Sequence, residues 1–326
     1  MKPSVAIVNS SSFGTAFPEH LSDIETFAKV QRLALNRTMS SRQMTDLLKT
    51  FSALVLSVTP PLSKEILEGL PHLKLIARHG IGIDSIDLAA AKDRNILVTR
   101  IPGLIEQTAV AEFTVGLLLS LLRKIAPATL AARQGSWNTR AAFVGTELRD
   151  KTVGIFGLGN TGGRIATIIR NGFGARVLGC DPYLSSAQVQ MLEAPLTTRA
   201  EVFKLSDIII LCSALTSETR GLIGAQALQE IKAGAVLINA ARGELIDEPA
   251  LIAALSSGKI GGYAADVLSE EPPSPSHPFF SFPQVLITPH LGAYTKESLR
   301  AMGDTVVGQL RAVLVDNTEP VGLVRE

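Results

Sequence analysis

Cysteine is scarce in this chain: Cys180 and Cys212 are the only two among 326 residues. Both close apolar, strand-like runs, where small buried thiols are common, and two such residues make no disulfide framework. A reducing cytoplasm is therefore the expected location. A surplus of one charge is also missing, with 31 basic residues against 30 acidic and a net charge of +1. No basic run or stripe appears, so nucleic acid is not an expected partner. The N-terminal residues lead straight into a strand-like run and lack a signal peptide's layout. No uninterrupted apolar stretch reaches membrane-spanning length; Phe113 to Leu122 is the longest candidate and is too short. A membrane partner is therefore not expected either. Internal repeats and low-complexity tracts are absent as well. With 46 % hydrophobic residues, an ordinary globular chain remains, long enough for two domains with their own cores.

What is present begins near mid-chain. Lys151-Thr-Val-Gly-Ile-Phe-Gly157-Leu-Gly159-Asn160-Thr161-Gly162 reads as a buried strand and a tight glycine turn, with a helix opening from Gly163. Glycines at these positions let the backbone approach a pyrophosphate, which then sits at a helix N-terminus. The next apolar run, Ala175 to Cys180, ends in Asp181, 19 residues past Gly162. A carboxylate there accepts hydrogen bonds from the adenosine ribose and repels a 2′-phosphate, so NAD is the expected cofactor rather than NADP. Alone the glycines would be an ordinary turn; strand, helix and spaced acid together make the fingerprint.

Around it the chain alternates strands and helices. Val5–Asn9, Ala53–Val58, Leu73–Arg78 and Ile96–Thr99 read as short parallel strands, and 84–93 as a helix with Asp84 suited to capping. A helix over 106–123 is apolar on most faces and must be covered by two domains or a second subunit; a subunit contact is favoured. From Lys151 the strands are Thr152–Phe156, Arg176–Cys180, Ile208–Leu211, Ala235–Asn239, Gly262–Asp266 and Val285–Thr288, a doubly wound parallel sheet. A Pro-rich loop, Pro272 to Pro278, precedes the last strand, and an amphipathic helix over 296–315 follows.

Ligands of such sheets lie at the carboxyl ends of the strands. Arg242, Glu271 and His290 each fall just past such an end, where one alone would pass for a loop residue. Hydride transfer to a 2-oxo acid requires a proton for the nascent alkoxide, and histidine is the natural donor near neutrality. A carboxylate such as Glu271 on its other ring nitrogen would fix the tautomer and stabilise imidazolium. Arg242 can hold the substrate carboxylate through its planar fork and polarise the carbonyl. Asp266 either accepts from the nicotinamide carboxamide or merely caps a loop. In the first half, Arg78-His79-Gly80-Ile81-Gly82 places two glycines at a strand end, where backbone N–H groups can face a carboxylate, or else forms a plain glycine turn. His79 is either a second titratable group at the site or a surface imidazole. Trp137, the single tryptophan, is assigned a packing role; His20, His72 and His277 sit in polar loop contexts and are assigned none. No metal ligand set is assigned.

The chain resembles the D-isomer-specific 2-hydroxyacid dehydrogenases. Asn239-Ala240-Ala241-Arg242-Gly243, Asp266-Val-Leu-Ser-Glu-Glu271-Pro and Thr288-Pro-His290-Leu-Gly292 carry the likeness, joined by Gly80-Ile-Gly82-Ile-Asp84, Val110-Ala-Glu112 and Gly135-Ser-Trp137. The resemblance implies an α/β protein of two doubly wound parallel-sheet domains. A flavodoxin-like substrate domain, 1–103 with 293–326, would be interrupted by a Rossmann NAD-binding domain over 104–292, with the 106–123 helix at a homodimer interface. It implies NAD-dependent interconversion of a 2-oxo acid and a (D-)2-hydroxy acid, with Arg242, Glu271 and His290 catalytic. Gly157, Gly159, Asn160, Thr161, Gly162, Asp181, Ala240, Ala241, Asp266 and Gly292 would bind the cofactor, and residues Arg78 to Gly82 the substrate.

Within that family the likeness leans toward phosphoglycerate dehydrogenases, through Phe143-Val-Gly-Thr-Glu-Leu148, Asp181-Pro-Tyr183, Gly292-Ala-Tyr-Thr-Lys-Glu297 and Arg78. Two departures weaken it. Val55-Leu56-Ser57-Val58-Thr59 lacks the arginine those enzymes usually carry there, and the loop from Gly103 to Thr108 reads one residue longer. Losing a phosphate-pairing arginine forfeits about 1.5–3 kcal/mol. Glyoxylate, hydroxypyruvate and other small or mid-sized 2-oxo acids are therefore expected first and 3-phosphoglycerate second, with Arg78 or Arg140 left to hold a phosphate. The alternatives are a D-3-phosphoglycerate dehydrogenase, a non-catalytic NAD(H)-sensing binding protein on the same fold, and a transferase with a nucleoside cofactor, which leaves Arg242 and His290 unexplained.

Overall fold

Short apolar runs without alternation bury both faces of a strand, and such strands assemble into parallel sheets covered by helices. The computed structural model describes the chain apart from residues 1, 37, 186–187, 189–194 and 326. It forms two compact units, Met1–Glu106 with Tyr294–Glu326, and Gln107–Ala293.

The first unit holds β1 (Ser4–Val8), β2 (Lys29–Leu33), β3 (Ala53–Leu56), β4 (Leu75–Arg78) and β5 (Leu97–Thr99). They are parallel, in the order β2-β1-β3-β4-β5, which is the flavodoxin-like order. β2 has no counterpart in the apolar pattern because Lys29-Val-Gln-Arg-Leu33 lies at the sheet edge with most of its side chains exposed. The expected helix over 84–93 begins only at Leu88, since the cap is Asp87, whose carboxylate accepts the Ala90 N–H at 3.0 Å. The last helix spans Lys296–Arg311 and ends in a π turn over Ala312–Asp316.

The second unit holds β6 (Thr152–Phe156), β7 (Arg176–Cys180), β8 (Ile208–Leu211), β9 (Ala235–Asn239), β10 (Ile260–Ala265) and β11 (Val285–Ile287). All are parallel, in the order β11-β10-β9-β8-β6-β7. Beyond β7, among the described residues, a parallel bridge joins Gly179 to Leu196. That bridge stands where a doubly wound sheet has its third strand, so the winding is the Rossmann one. The winding direction reverses between β6 and β8, and such a reversal opens a crevice at the strand ends.

The long apolar helix starts three residues before the expected 106, at Gly103, and runs to Leu122. Its 20 residues are enough by length and composition to cross a membrane, a length the uninterrupted apolar run did not reach. Glu106 and Glu112 interrupt it. Ala111, Val115, Leu118 and Leu122 are buried in a core shared with Ile155 of β6 and Ile165, Ala166 and Ile169 of helix Asn160–Phe173. The segments that follow, Ile125–Arg133 and Trp137–Phe143, contain no buried residue. Trp137 is 72 % exposed, which corrects its expected packing role: among the described residues the indole is left open to solvent.

Candidate active site

At the reversal point the glycines are required by sterics. Gly157 sits at φ +82, and a Cβ there would lie 2.7 Å from the Ser213 backbone nitrogen after β8. Gly162 lies in the first turn of the helix that Asn160 opens, and a Cβ on it would be 1.9 Å from the Gly157 carbonyl oxygen. The helix can therefore press against the β6 turn only with glycine at this position. A Cβ at Gly159 would meet nothing within 4 Å, so open space faces the helix N-terminus, whose first amides have no intrahelical acceptors. Asp181 follows β7, and its Oδ2 accepts the Leu158 N–H at 2.8 Å while Oδ1 accepts the Tyr183 N–H at 3.0 Å. Each oxygen keeps a lone pair for a ribose hydroxyl. A close-packed glycine turn, an open helix start and a fixed carboxylate on the neighbouring strand fit a dinucleotide.

Arg242, Glu271 and His290 follow β9, β10 and β11, three adjacent strands with one direction, so all three emerge at the same sheet edge. Asn239, fully buried, ties the first turn: its Nδ2 donates to the Arg242 carbonyl at 2.8 Å, and its Oδ1 accepts the Ala241 N–H at 3.1 Å. The Ala240–Ala241 turn thus leaves β9 in a fixed direction. Arg242 is half-buried and donates through Nη1 to the Ala241 carbonyl at 2.6 Å. Gly243 then lies directly against the next loop, where a Cβ would be 2.0 Å from the Leu268 carbonyl carbon.

Glu271 takes the Leu268 N–H on Oε1 at 3.1 Å and faces His290 Nδ1 with Oε2 at 2.7 Å. With the Nδ1 proton given to the carboxylate, Nε2 is the nitrogen left for a substrate. The imidazole is 35 % exposed and the carboxylate 23 %, open enough to be reached and covered enough for a strong charge-assisted bond. His290 has φ +57, a left-handed conformation rare outside glycine. Asp266 holds that turn: its carboxylate accepts the Thr288 hydroxyl at 2.6 Å and the Leu291 and Gly292 N–H groups at 2.8 and 2.7 Å. This is the loop-capping role left open for it, and Oδ2 retains one acceptor position. Burial is the largest influence on the Asp266 carboxyl and pushes it above the usual carboxylate range, against the hydrogen bonds that lower it.

The residues singled out in the first half stay in the first unit, at the end of β4. Gly80 has φ +151, and the amides of Ile81 and Gly82 have no hydrogen-bond partner among the described residues. The buried Arg78 guanidinium donates to the Leu56 and His79 carbonyls at 3.2 and 2.8 Å. His79 is not a surface imidazole. It is 8 % exposed, its ring set edge-on to Phe13 at 5.2 Å, and its Nε2 has no hydrogen-bond partner among the described residues. Burial, and then the charges of Arg78 and His20, push it down to about 3, so it is neutral near pH 7. Leu56 is fully buried in the core, leaving Ser57 to Thr59, none of them basic, as the loop beyond β3. Arg140 is exposed on the 137–143 segment of the second unit.

Sequence reasoning missed Asn239, Thr288 and the pairing of His277 with Glu248 (Nε2 to Oε2, 3.3 Å). The polar residue ending an apolar strand was a usable signal for Asn239 and for Thr288; nothing local indicated the His277–Glu248 pair. Among the described residues no cluster of three or more His, Cys, Asp or Glu could hold a metal.

Comparison with known proteins agrees with this geometry. The family described as "D-isomer specific 2-hydroxyacid dehydrogenase, NAD binding domain" matches residues 115–292. D-3-phosphoglycerate dehydrogenase of Methanocaldococcus jannaschii is 35 % identical over 298 residues, covering 91 % of this chain and 56 % of its own length. The Bacillus subtilis enzyme of that name is 38 % identical over 253 residues, 78 % of this chain and 47 % of its own. The chain thus spans about half the length of these curated relatives. Among solved structures, apo D-lactate dehydrogenase from Escherichia coli superposes with a TM-score of 0.84 at 27 % identity, covering 99 % of this chain and 100 % of that one. An NADPH-dependent glyoxylate/hydroxypyruvate reductase from Sinorhizobium meliloti, in complex with NADP and malonate, reaches 0.85 at 28 % identity over 99 % and 97 %. With its glycine cradle, its acidic β7 end and three reactive side chains at neighbouring strand ends, this chain belongs to the D-isomer-specific 2-hydroxyacid dehydrogenase family.

Proposed function

We propose that this protein interconverts a 2-oxo acid and a (D-)2-hydroxy acid with NAD(H). The observation that carries the reading is the 2.7 Å pair of His290 Nδ1 with Glu271 Oε2, one strand away from Arg242. When bound, the nicotinamide supplies a hydride to the carbonyl carbon, or takes one back. The chain's own groups do the rest. Arg242 pairs with the substrate carboxylate and polarises the carbonyl. His290 delivers the Nε2 proton to the carbonyl oxygen as charge develops there, and recovers it in the reverse direction. Glu271 keeps the ring in the tautomer that presents Nε2 and offsets the imidazolium charge. Gly157, Gly159 and the amides of Asn160, Thr161 and Gly162 cradle the pyrophosphate. Asp181 favours NAD through the ribose, and Ala240, Ala241, Asp266 and Gly292 line the nicotinamide end. In the first unit, the free amides of Ile81 and Gly82, with Arg78 and His79, read the substrate.

Small or mid-sized 2-oxo acids, glyoxylate and hydroxypyruvate among them, fit better than a phosphorylated one. No basic residue stands in the loop from Ser57 to Thr59 beyond β3, and Arg78 Nη1 is turned onto two carbonyls. We assign the uncovered face beside helix Gly103–Leu122 to a second copy of the chain in the cytoplasm. Ile125 and Trp137, 51 % and 72 % exposed, line a hollow of about 430 Å³ there, and Leu130 is 57 % exposed. A monomeric mass by light scattering at micromolar concentration would count against the dimer.

The test is a panel of 2-oxo acids with NADH, followed by loss of NADH absorbance. Turnover of at least one is expected, with 3-phosphoglycerate a poor substrate in the reverse direction. Tight NADH binding without turnover of any would sink the enzyme reading and favour an NAD(H)-sensing protein. His290→Ala should lower the maximal rate about 10²–10⁴-fold, the usual worth of a general acid, and leave NADH affinity unchanged.

A further inference from the structure

The loop that carries Glu271 has little backbone bonding of its own. Pro272, Pro273, Pro275 and Pro278 follow it within seven residues, and proline offers no N–H to a neighbour. Between Val267 and Glu271, the backbone N–H groups with described partners are those of Leu268 and Ser269, and both donate to carboxylates. Leu268 donates to Glu271 itself at 3.1 Å, and Ser269 donates to Glu248 Oε1 at 3.0 Å. Glu248 then spans the loop, because its Oε2 takes the His277 Nε2 proton at 3.3 Å. The tautomer of His277 is settled by its other nitrogen, which accepts the Phe279 N–H at 3.3 Å and so carries no proton. Phe279, fully buried, packs against the His277 ring with centroids 5.0 Å apart. Glu248 opens a helix capped by Asp247 and fixed to the core by Leu251, Ala254 and Leu255. The two side chains are only 13 % and 15 % exposed.

We infer that Glu248 and His277 are positioning residues that seat Glu271 against His290, a second carboxylate–imidazole pair clamping the loop of the first. The inference rests on the role proposed above for Glu271. Glu248 holds the amide next to the one that seats Glu271, and it anchors the far end of the loop through His277. Releasing Glu248 frees Ser269, and with it the Leu268 N–H that orients the Glu271 carboxylate. Misplacement of a catalytic group by about 1 Å costs on the order of a hundredfold.

The test reads His290 directly. In the wild type, nitrogen-15 NMR of the ring, without substrate or cofactor and assigned with a His290→Asn variant, should show its proton on Nδ1. Glu248→Ala should disperse that signature into a mixture of tautomers. It should also lower the maximal rate about tenfold or more while leaving KM for NADH unchanged. Glu248→Gln keeps an acceptor for Ser269 but presents an amide N–H to His277, and it should fall between the two. It also serves if Glu248→Ala fails to fold. A folded Glu248→Ala or Glu248→Gln protein with the wild-type His290 spectrum overturns the inference, even if its melting temperature has dropped. Because the spectrum needs no substrate, a wild-type protein that turns over no 2-oxo acid overturns the dehydrogenase reading and leaves this result standing.

Discussion

The buried imidazole of His79 makes folding stability depend on pH in a calculable way. The ordinary value for histidine is 6.5, and burial beside Arg78 brings this ring down to about 3. Between those values the unfolded chain binds a proton that the folded chain refuses, so stability falls as pH is lowered through that window. At pH 5 the unfolded imidazole is almost wholly charged and the folded one neutral. The linkage relation then gives a loss of about 2 kcal/mol relative to high pH, nearly all of it incurred below pH 7. The figure changes little so long as the folded ring titrates below about pH 4. His79→Leu removes the group, and with it a buried Nε2 that has no partner among the described residues, so the variant should fold. Urea unfolding of both proteins at pH 7 and pH 5, followed by circular dichroism, measures the difference. The wild type should lose about 2 kcal/mol more than the variant between the two pH values. Parallel losses would show that the ring is hydrated or charged in the folded protein, and the reasoning would fail.

Three further outcomes are expected. Glu271→Gln exchanges a charge-assisted bond to His290 for a neutral one, a loss of about 1–2 kcal/mol; the maximal rate should fall about 5- to 30-fold with NADH binding intact, and a change below twofold would remove Glu271 from the mechanism. Gly162→Ala puts a methyl group into the Gly157 carbonyl and should cost about 1–3 kcal/mol of stability together with NADH affinity; a variant with wild-type melting temperature and NADH fluorescence titration contradicts the close packing. Asp181→Ala removes the acceptor for Leu158 and the repulsion of a 2′-phosphate, so competition titrations should show NADH weakened and the NADPH-to-NADH preference raised; an unchanged ratio would refute Asp181 as the selector.

Much of this architecture is legible in residue order because parallel strands buried on both faces leave continuous apolar runs. Thr152–Phe156 and Ala235–Asn239 are examples, and in a parallel sheet their ends point one way. That is why Arg242, Glu271 and His290 can be picked out as strand-end residues. What cannot be read depends on partners distant in the chain. β2 is held by one neighbour at a sheet edge and needs no apolar run. The left-handed φ of His290 exists because Asp266, 24 positions earlier, holds the turn. His20 and His277 look like loop residues until Asp304 and Glu248 meet them across 284 and 29 positions. Trp137 shows the opposite failure: a large aromatic suggests a core, and this one faces outward.

The β9-β10-β11 edge also acts as a ruler. Neighbouring strands stand about 4.8 Å apart, so the ends of β9 and β11, which lead to Arg242 and His290, are roughly 10 Å apart with β10 between them. The sheet's own spacing thus sets how far apart the loops bearing Arg242 and His290 leave their strands. What lies beyond the strand ends is left unmeasured by this edge, so one unaltered set of strands can carry loops of different length and sequence.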